Sequence, residues 1–309
     1  MKIIFMGTAS FSLEVLKALH AAHEVVLVVT QPDKEVGRKK TRTPSLVSEY
    51  ANANQLPLIK PPRLKDAVEE ITAYECDFIV TASFGQFVPT KLLNHPKKKA
   101  INVHASLLPQ YRGASPIHQA IRNGDQETGI TYMEMVKEMD AGDTYHQERL
   151  TIDPMWTTTD LMDHLAALAA RTINPFLDQF ETYPPLKQDI TKVTFAPKLS
   201  KEDGYIDFNQ PAAAIVNQVR AFAEEPGCRF MIKDQEIKVF EVSKSSHSGE
   251  PGEVVSVSED GIIIACGQDS LRITELQLPG KTRQKVHAFI QGNSWLTPGM
   301  KGEPPHGRI

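Results

Sequence analysis

"NVHASLLPQYRGASPIH" (102–118) begins as the tail of the apolar run "AINVHA", crosses a polar segment bent by Pro109 and Gly113, and ends in helix-forming residues. A buried strand feeding a polar loop and then a helix is the repeating step of a parallel sheet with crossover helices. Ligands of such sheets gather at the carboxyl ends of the strands. Asn102 and His104 lie two residues apart on this strand. Side chains at that spacing share a face, so an amide donor and an imidazole can point at one reacting atom while Val103 faces the core.

Working outward, the same step recurs. "KIIFM", "EVVLVV" and "DFIVTAS" are strand-like, and the pattern predicts helices over 10–22, 44–55, 65–74 and 114–123. Thr43 is placed to cap the second helix, with Pro44 in its first turn, where a missing N–H costs nothing. On the carboxyl side, "TGITYMEM" and "DTYHQERLTI" read as a hairpin, and 157–180 as one long amphipathic helix containing Pro175. Residues 183–205 carry Pro and Lys without long periodicity and read as an exposed connection. One helix, 211–223, and the short strands "RFMI", "EIKVFEV", "GEVVSV", "GIIIAC" and "LRITELQL" follow, a pattern that suits a small barrel or a sandwich.

At 309 residues the chain is long enough for two domains, and 41% hydrophobic with 23% charged residues is ordinary for a globular protein. No segment approaches the apolar length that crosses a bilayer. "MKIIFMG" reads as a first core strand rather than the apolar region of a signal peptide. The three cysteines, Cys76, Cys228 and Cys266, are odd in number and far apart, which suits neither a disulfide framework nor a zinc site. A reducing cytoplasm is the expected setting. The net charge of -4 argues against non-specific coating of nucleic acid and leaves two local basic patches, "KEVGRKK" with Arg42 behind it and "GKTRQK" at 280–285.

Gly7 is not followed by glycines at dinucleotide-binding spacing, and the chain contains no "GxxxxGK[ST]", "HExxH" or "GxSxG". "KEMDAGDTY" holds an acidic turn in which Asp140 or Asp143 can orient an imidazole; spacing does not choose between them. An amide, an imidazole and a carboxylate together suit acyl chemistry: a donor for an oxyanion, a proton shuttle and the acid that orients it.

The run "NVHASLLPQYRGASPIHQAI" followed by "ETGITYMEMVKEMDAGDT" resembles the 10-formyltetrahydrofolate-dependent formyltransferases, whose pattern is Asn-x-His, Ser-Leu-Leu-Pro and an Asp-x-Gly-Asp turn. The resemblance implies an α/β fold: a Rossmann-like doubly wound sheet in a catalytic domain at 1–190, a linker at 191–205, and a small OB-like β-barrel at 206–309 that binds tRNA. It places Asn102, His104 and Asp140 in catalysis and Ser106, Leu107, Leu108, Pro109, Phe84 and Gly85 against the folate, with no metal.

Within the family the acceptor is a ribonucleotide amine, an amino sugar, water, or the amine of methionine on initiator tRNA. "VTQPDKEVGRKK", "TFAPKLSKEDGYIDF" and "DGIIIACGQDSLRITELQLPGK" are similar to the branch that acts on tRNA. The implied activity is therefore formyl transfer from 10-formyltetrahydrofolate to initiator methionyl-tRNA, for translation initiation, by a cytoplasmic monomer. Arg38, Lys39, Lys40 and Arg42, with Lys281 and Arg283, become the implied tRNA contacts. From residue 206 onward 13 acidic residues face 11 basic ones, so only a local stripe there can meet phosphates. Where the family carries an Asn-Pro-Trp-Pro-like run, this chain has "AEEPG" at 223–227. An amino-sugar formyltransferase usually lacks this second half, and a catalytically silent tRNA-binding protein need not keep Asn102, His104 and Asp140.

Overall fold

Long runs of Val, Ile and Phe, whose branched or aromatic side chains pack well on a pleated surface, become strands buried on both faces. A computed structural model of the chain describes residues 1–36 and 41–305. As far as Ala196 the order is β1 (Lys2–Gly7), α1 (Ser10–Ala22), β2 (Glu24–Val29), β3 (Lys34–Val36), β4 (Thr41–Thr43), α2 (Leu46–Ala53), β5 (Leu58–Ile59), α3 (Val68–Thr72), β6 (Phe78–Ala82), α4 (Thr90–Leu93), β7 (Lys99–His104), β8 (Arg112–Gly113), α5 (Pro116–Asn123), β9 (Glu127–Glu134), β10 (Thr144–Thr151), α6 (Thr158–Asp178) and β11 (Phe195–Ala196). Then come α7 (Ala212–Phe222), β12 (Cys228–Ile232), β13 (Gln235–Ser245), β14 (Val254–Ser258), β15 (Gly261–Ala265), β16 (Ser270–Gln277), β17 (Gln284–Lys285), α8 (Val286–Gly292) and β18 (Gly302–Glu303).

Two units result, the first from Met1–Pro116, Glu127–Ile152 and Thr159–Pro197, the second from Ile117–Gln126, Asp153–Thr158 and Lys198 onward. In the first, a seven-stranded sheet has the order β10-β9-β7-β6-β1-β2-β5. The strands from β7 to β5 are parallel, while β9 runs antiparallel to β7 and β10 antiparallel to β9. The strand order reverses at β1, with β2 on one side and β6 on the other. The carboxyl ends of β1, β6 and β7, at Gly7, Ala82 and His104, thus lie beside the crevice that such a reversal opens.

Ile4, Met6, Leu27, Val29 and Ile79 share a core with Ile71 and Leu92. Helix α1 buries Phe11, Val15, Leu16 and Leu19, one stripe of its surface. Helix α6 is fastened to β9 by Phe176, whose ring stacks on Tyr132 at 4.3 Å between centroids.

Two local expectations need correction. Helix α2 is capped by Ser45, whose side chain accepts from the Ser48 N–H, because Thr43 belongs to β4 and its hydroxyl donates to the Thr41 carbonyl. Residues 183–205 are not a bare connection: β11 pairs in parallel with β8, and Leu186 and Thr144 exchange backbone hydrogen bonds at 2.8 and 2.9 Å.

In the second unit the strand order is β14-β15-β16-β13-β12-β18, with β17 on β16. The two ends of that path meet: Glu253 and Lys301 form an antiparallel bridge, and the Val254 N–H donates to the Met300 carbonyl at 2.8 Å. A sheet closed in this way is a small barrel, the alternative that patterning left open beside a sandwich. Gly252 sits at the closure with φ of +87°, where a Cβ would lie 2.4 Å from the Gly302 carbonyl oxygen. Helix α7 is gripped by the excursions 117–126 and 153–158: His118 stacks on Phe222, and Arg220 donates to the Trp156 carbonyl at 2.9 Å.

Candidate active site

Strand β7 brings Asn102 and His104 to the crevice in the same alternating set, and Val103, 3% exposed, faces the other way. Asn102 is in register with Thr81 of β6 and Met133 of β9. The Thr81 hydroxyl donates to Asn102 Oδ1 at 2.8 Å, which fixes the amide and leaves its NH2 group as the donor for a reacting oxygen.

His104 is 5% exposed, with Nε2 at 2.9 Å from the Tyr111 carbonyl oxygen. A carbonyl only accepts, so Nε2 donates. Nδ1 lies 3.7 Å from Asp140 Oδ2, which itself accepts the Gly113 N–H at 2.8 Å. A proton arriving on the ring therefore finds an acceptor beside each nitrogen.

The backbone makes this possible at both walls. Tyr111 and Asp140 adopt φ of 61° and 51°, which turns the Tyr111 carbonyl and the Asp140 carboxylate toward the ring. Asp tolerates that left-handed conformation better than most residues. Gly142 follows because a Cβ there would lie 1.9 Å from the Glu134 carbonyl oxygen at the end of β9. The Asp-x-Gly spacing is thus a steric consequence of folding the turn back onto its own strand. Of the two acids that spacing left open, Asp140 is the one beside the ring.

Residues 106–109 continue from β7. The Ser106 hydroxyl, fully buried, donates to the Gln110 carbonyl at 2.6 Å, so it shapes the turn. The Leu108 N–H donates to Thr131 Oγ1 at 3.1 Å, its carbonyl accepts from Gln147 at 2.7 Å, and the Pro109 carbonyl accepts from the Thr194 N–H at 3.3 Å. Leu107 and Pro109 are the half-buried members. After β6, Phe84 is 5% exposed with its carbonyl taken by the Gln31 amide at 2.7 Å, and Gly85 is exposed. Because β6 and β7 are neighbours, both segments leave the same edge of the sheet.

Arg38, Lys39 and Lys40 lie outside the described residues. Arg42 is exposed on the β3–β4 hairpin, opposite Glu35. Lys281 is exposed, whereas Arg283 is already engaged: it donates to Glu224 at 2.8 Å and Glu275 at 2.6 Å and lies 4.3 Å over the Phe240 ring. Glu224 belongs to the "AEEPG" departure, so that departure supplies one of the anions holding Arg283.

Sequence reasoning passed over Thr81 and Tyr111, and read Gly113 only as a bend. Thr81 was findable as the polar interruption of the apolar run "FIVTA", whereas Tyr111 and Gly113 act through backbone atoms that carry no residue-type signal. Among the described residues no cluster of His, Cys, Asp or Glu is placed to hold a metal ion.

Residues 1–175 match the formyl transferase family and residues 198–294 the formyl transferase C-terminal domain. The chain belongs to the formyl transferase family. Among its relatives, the methionyl-tRNA formyltransferase of Staphylococcus epidermidis is 42% identical over 297 residues, 94% of this chain and 96% of that protein. That of Bacillus licheniformis is 43% identical over 310 residues, 97% of each. Two solved structures, 19% identical, share the fold. The sugar 3N-formyl transferase WlaRD aligns with a TM-score of 0.67 over 91% of this chain and 99% of that one. HypX from Aquifex aeolicus, solved with tetrahydrofolic acid, aligns with 0.65 over 95% of this chain and 47% of that one.

Proposed function

We propose that this formyl transferase moves a formyl group from 10-formyltetrahydrofolate to the amine of methionine esterified to initiator tRNA. The observation that carries the reading is the His104 ring, buried between the Tyr111 carbonyl and the Asp140 carboxylate on the strand that also presents the Asn102 amide. Near-full-length identity to methionyl-tRNA formyltransferases supports the choice of acceptor.

The amine of an aminoacyl ester is weakly basic and needs little help to attack. As the new C–N bond forms and the bond to the folate nitrogen breaks, the proton lost by the amine ends on that nitrogen. Asn102 donates to the formyl oxygen as negative charge gathers there. His104 carries the proton, and Asp140 holds the ring in place and balances its charge.

Ser106, Leu107, Leu108, Pro109, Phe84 and Gly85 are the proposed folate-side segments. Leu107, Pro109 and Gly85 offer partly exposed surface suited to a flat ring system, while Ser106, Leu108 and Phe84 hold the shape of the two segments from within. Arg38, Lys39, Lys40 and Arg42 are proposed for the acceptor end and Lys281 for a phosphate. Arg283 would have to exchange two carboxylates for one phosphate, which makes it the weakest of the set. The catalytic domain at 1–190, the linker at 191–205, the tRNA-binding barrel at 206–309 and a cytoplasmic monomer complete the reading.

The test is to supply 10-formyltetrahydrofolate with charged initiator tRNA, or with an amino sugar, and follow the formylated product. Formyl-methionyl-tRNA is expected. Binding of tRNA without product, or formylation of the sugar alone, would overturn the assignment. His104→Ala and Asp140→Asn should each lower kcat by on the order of a hundredfold or more.

A further inference from the structure

Gln188 lies in the segment whose pattern reads as exposed connection, between Leu186 and Ile190, which are 58% and 81% exposed. Its own side chain turns inward and is half-buried. There it uses every polar valence it has. Nε2 donates at 2.8 Å to the Asp140 carbonyl and at 2.8 Å to the Gly142 carbonyl. Oε1 accepts from Arg112 Nε at 3.0 Å and Nη2 at 2.9 Å.

The two partners stand on opposite walls of the candidate site. One is the turn that carries the Asp140 carboxylate to 3.7 Å from the His104 ring. The other is Arg112, 7% exposed, whose neighbours Tyr111 and Gly113 contact that ring and that carboxylate through their backbones. Asp140 itself has a left-handed backbone, and the Gln188 amide is the side-chain donor that ties its carbonyl and that of Gly142 together. A displacement of about 1 Å at a catalytic group can cost about a hundredfold in rate.

We propose that Gln188 is a positioning residue for formyl transfer, locking the Asp140 turn against His104 and, through Arg112, fixing the opposite wall in the same register. The proposal rests on the formyl-transfer reading above for its kinetic consequence but not for its geometry. Gln188 hydrogen-bonds neither the ring nor the carboxylate of Asp140; its effect passes through the Asp140 and Gly142 carbonyls and the Arg112 guanidinium.

Two variants separate the halves of the amide. Gln188→Met keeps the length and removes all four hydrogen bonds, while Gln188→Glu keeps an acceptor for Arg112 and turns an oxygen toward two carbonyls. Both should lower kcat by roughly tenfold to a hundredfold with the KM for the formyl donor unchanged. In histidine-labelled protein both should also shift the His104 ring signals, identified by their loss in His104→Gln. Thermal melts report the folded fraction, and should Gln188→Met fail to fold, Gln188→Glu decides alone. Wild-type kcat and unmoved His104 signals in a folded variant, or a rate loss that tracks the unfolded fraction, would overturn the proposal. If the wild-type chain forms no formylated product, the functional reading fails, while the ring signals still test the role of Gln188.

Discussion

At the scale of single residues, much depends on groups with one hydrogen to give. Thr81 is 2% exposed and its hydroxyl orients the Asn102 amide at 2.8 Å. Thr81→Val keeps the shape and removes that bond. It should cost about 1 kcal/mol of stability and lower kcat by roughly tenfold or more, read from a melt and from initial rates. The cysteines mark the opposite case. Burial pushes the Cys76 and Cys228 thiols up to about 12 and the Cys266 thiol up to about 11. The thiolate is the reactive form, so the native protein should be inert to a thiol reagent at neutral pH and all three thiols should react after denaturation. Rapid modification of any of them in the folded state would contradict the burial argument. Asn102 and His104 were legible because a strand alternates; Tyr111 was not, because its contribution is a carbonyl set by a positive φ.

At the scale of elements, β7 and the β9–β10 hairpin carry the site between them. Their pairing is what brings residue 140 to residue 104, since β9 lies directly beside β7. The turn between β9 and β10 has no room for a side chain at Gly142, where the Glu134 carbonyl would lie 1.9 Å from a Cβ. Gly142→Ala should therefore displace the Asp140 carboxylate and lower kcat by about a hundredfold. A crystal structure of the variant with the turn unmoved, or wild-type kcat, would refute this. The long strands and main helices were legible from their apolar periods, whereas the two- and three-residue strands β3, β4, β5, β8, β11, β17 and β18 were not. Helix α8 was missed, because seven residues give too short a period to register. The cap of α2 was misassigned because Thr43 and Ser45 are both good capping residues, and only pairing of β3 with β4 withdraws Thr43.

At the scale of the whole molecule, two histidines tie stability to pH. His23 has its pKa lowered, mainly by burial, then by the amino-terminal charge; Asp178 at 3.9 Å opposes this, but its side chain is 61% exposed and its field is screened by water. His118, stacked on Phe222, is likewise lowered by burial against an opposing pull from Glu225. Both rings are more easily protonated in the unfolded chain, near the ordinary 6.5, than in the folded one. The unfolded state thus takes up protons first as pH falls, and the stability that the neutral rings contribute is present above that value and lost below it. The melting temperature should fall between about pH 7.5 and about pH 5.5, and fall less in His23→Gln and in His118→Gln. A pH dependence identical in all three proteins would refute the assignment.

The sequence by itself determined the parallel sheet, the strand-rich second half and the pair Asn102 and His104, because those follow from periods of two and of about 3.6 residues that act within one segment. It also contained the motifs by which the formyl transferase family is identified. Spacing and patterning left Asp140 and Asp143, and a barrel and a sandwich, both open. The resemblance pointed to Asp140 and to a barrel, and the structure puts Asp140 beside the ring and joins the second half at Glu253 and Lys301. Only the tertiary structure decided that Gln188 reaches in from an exposed segment to join Arg112 to the Asp140 turn. Those contacts join residues distant in the chain through backbone groups common to every residue type, so composition and spacing leave them unmarked until the sheet is assembled.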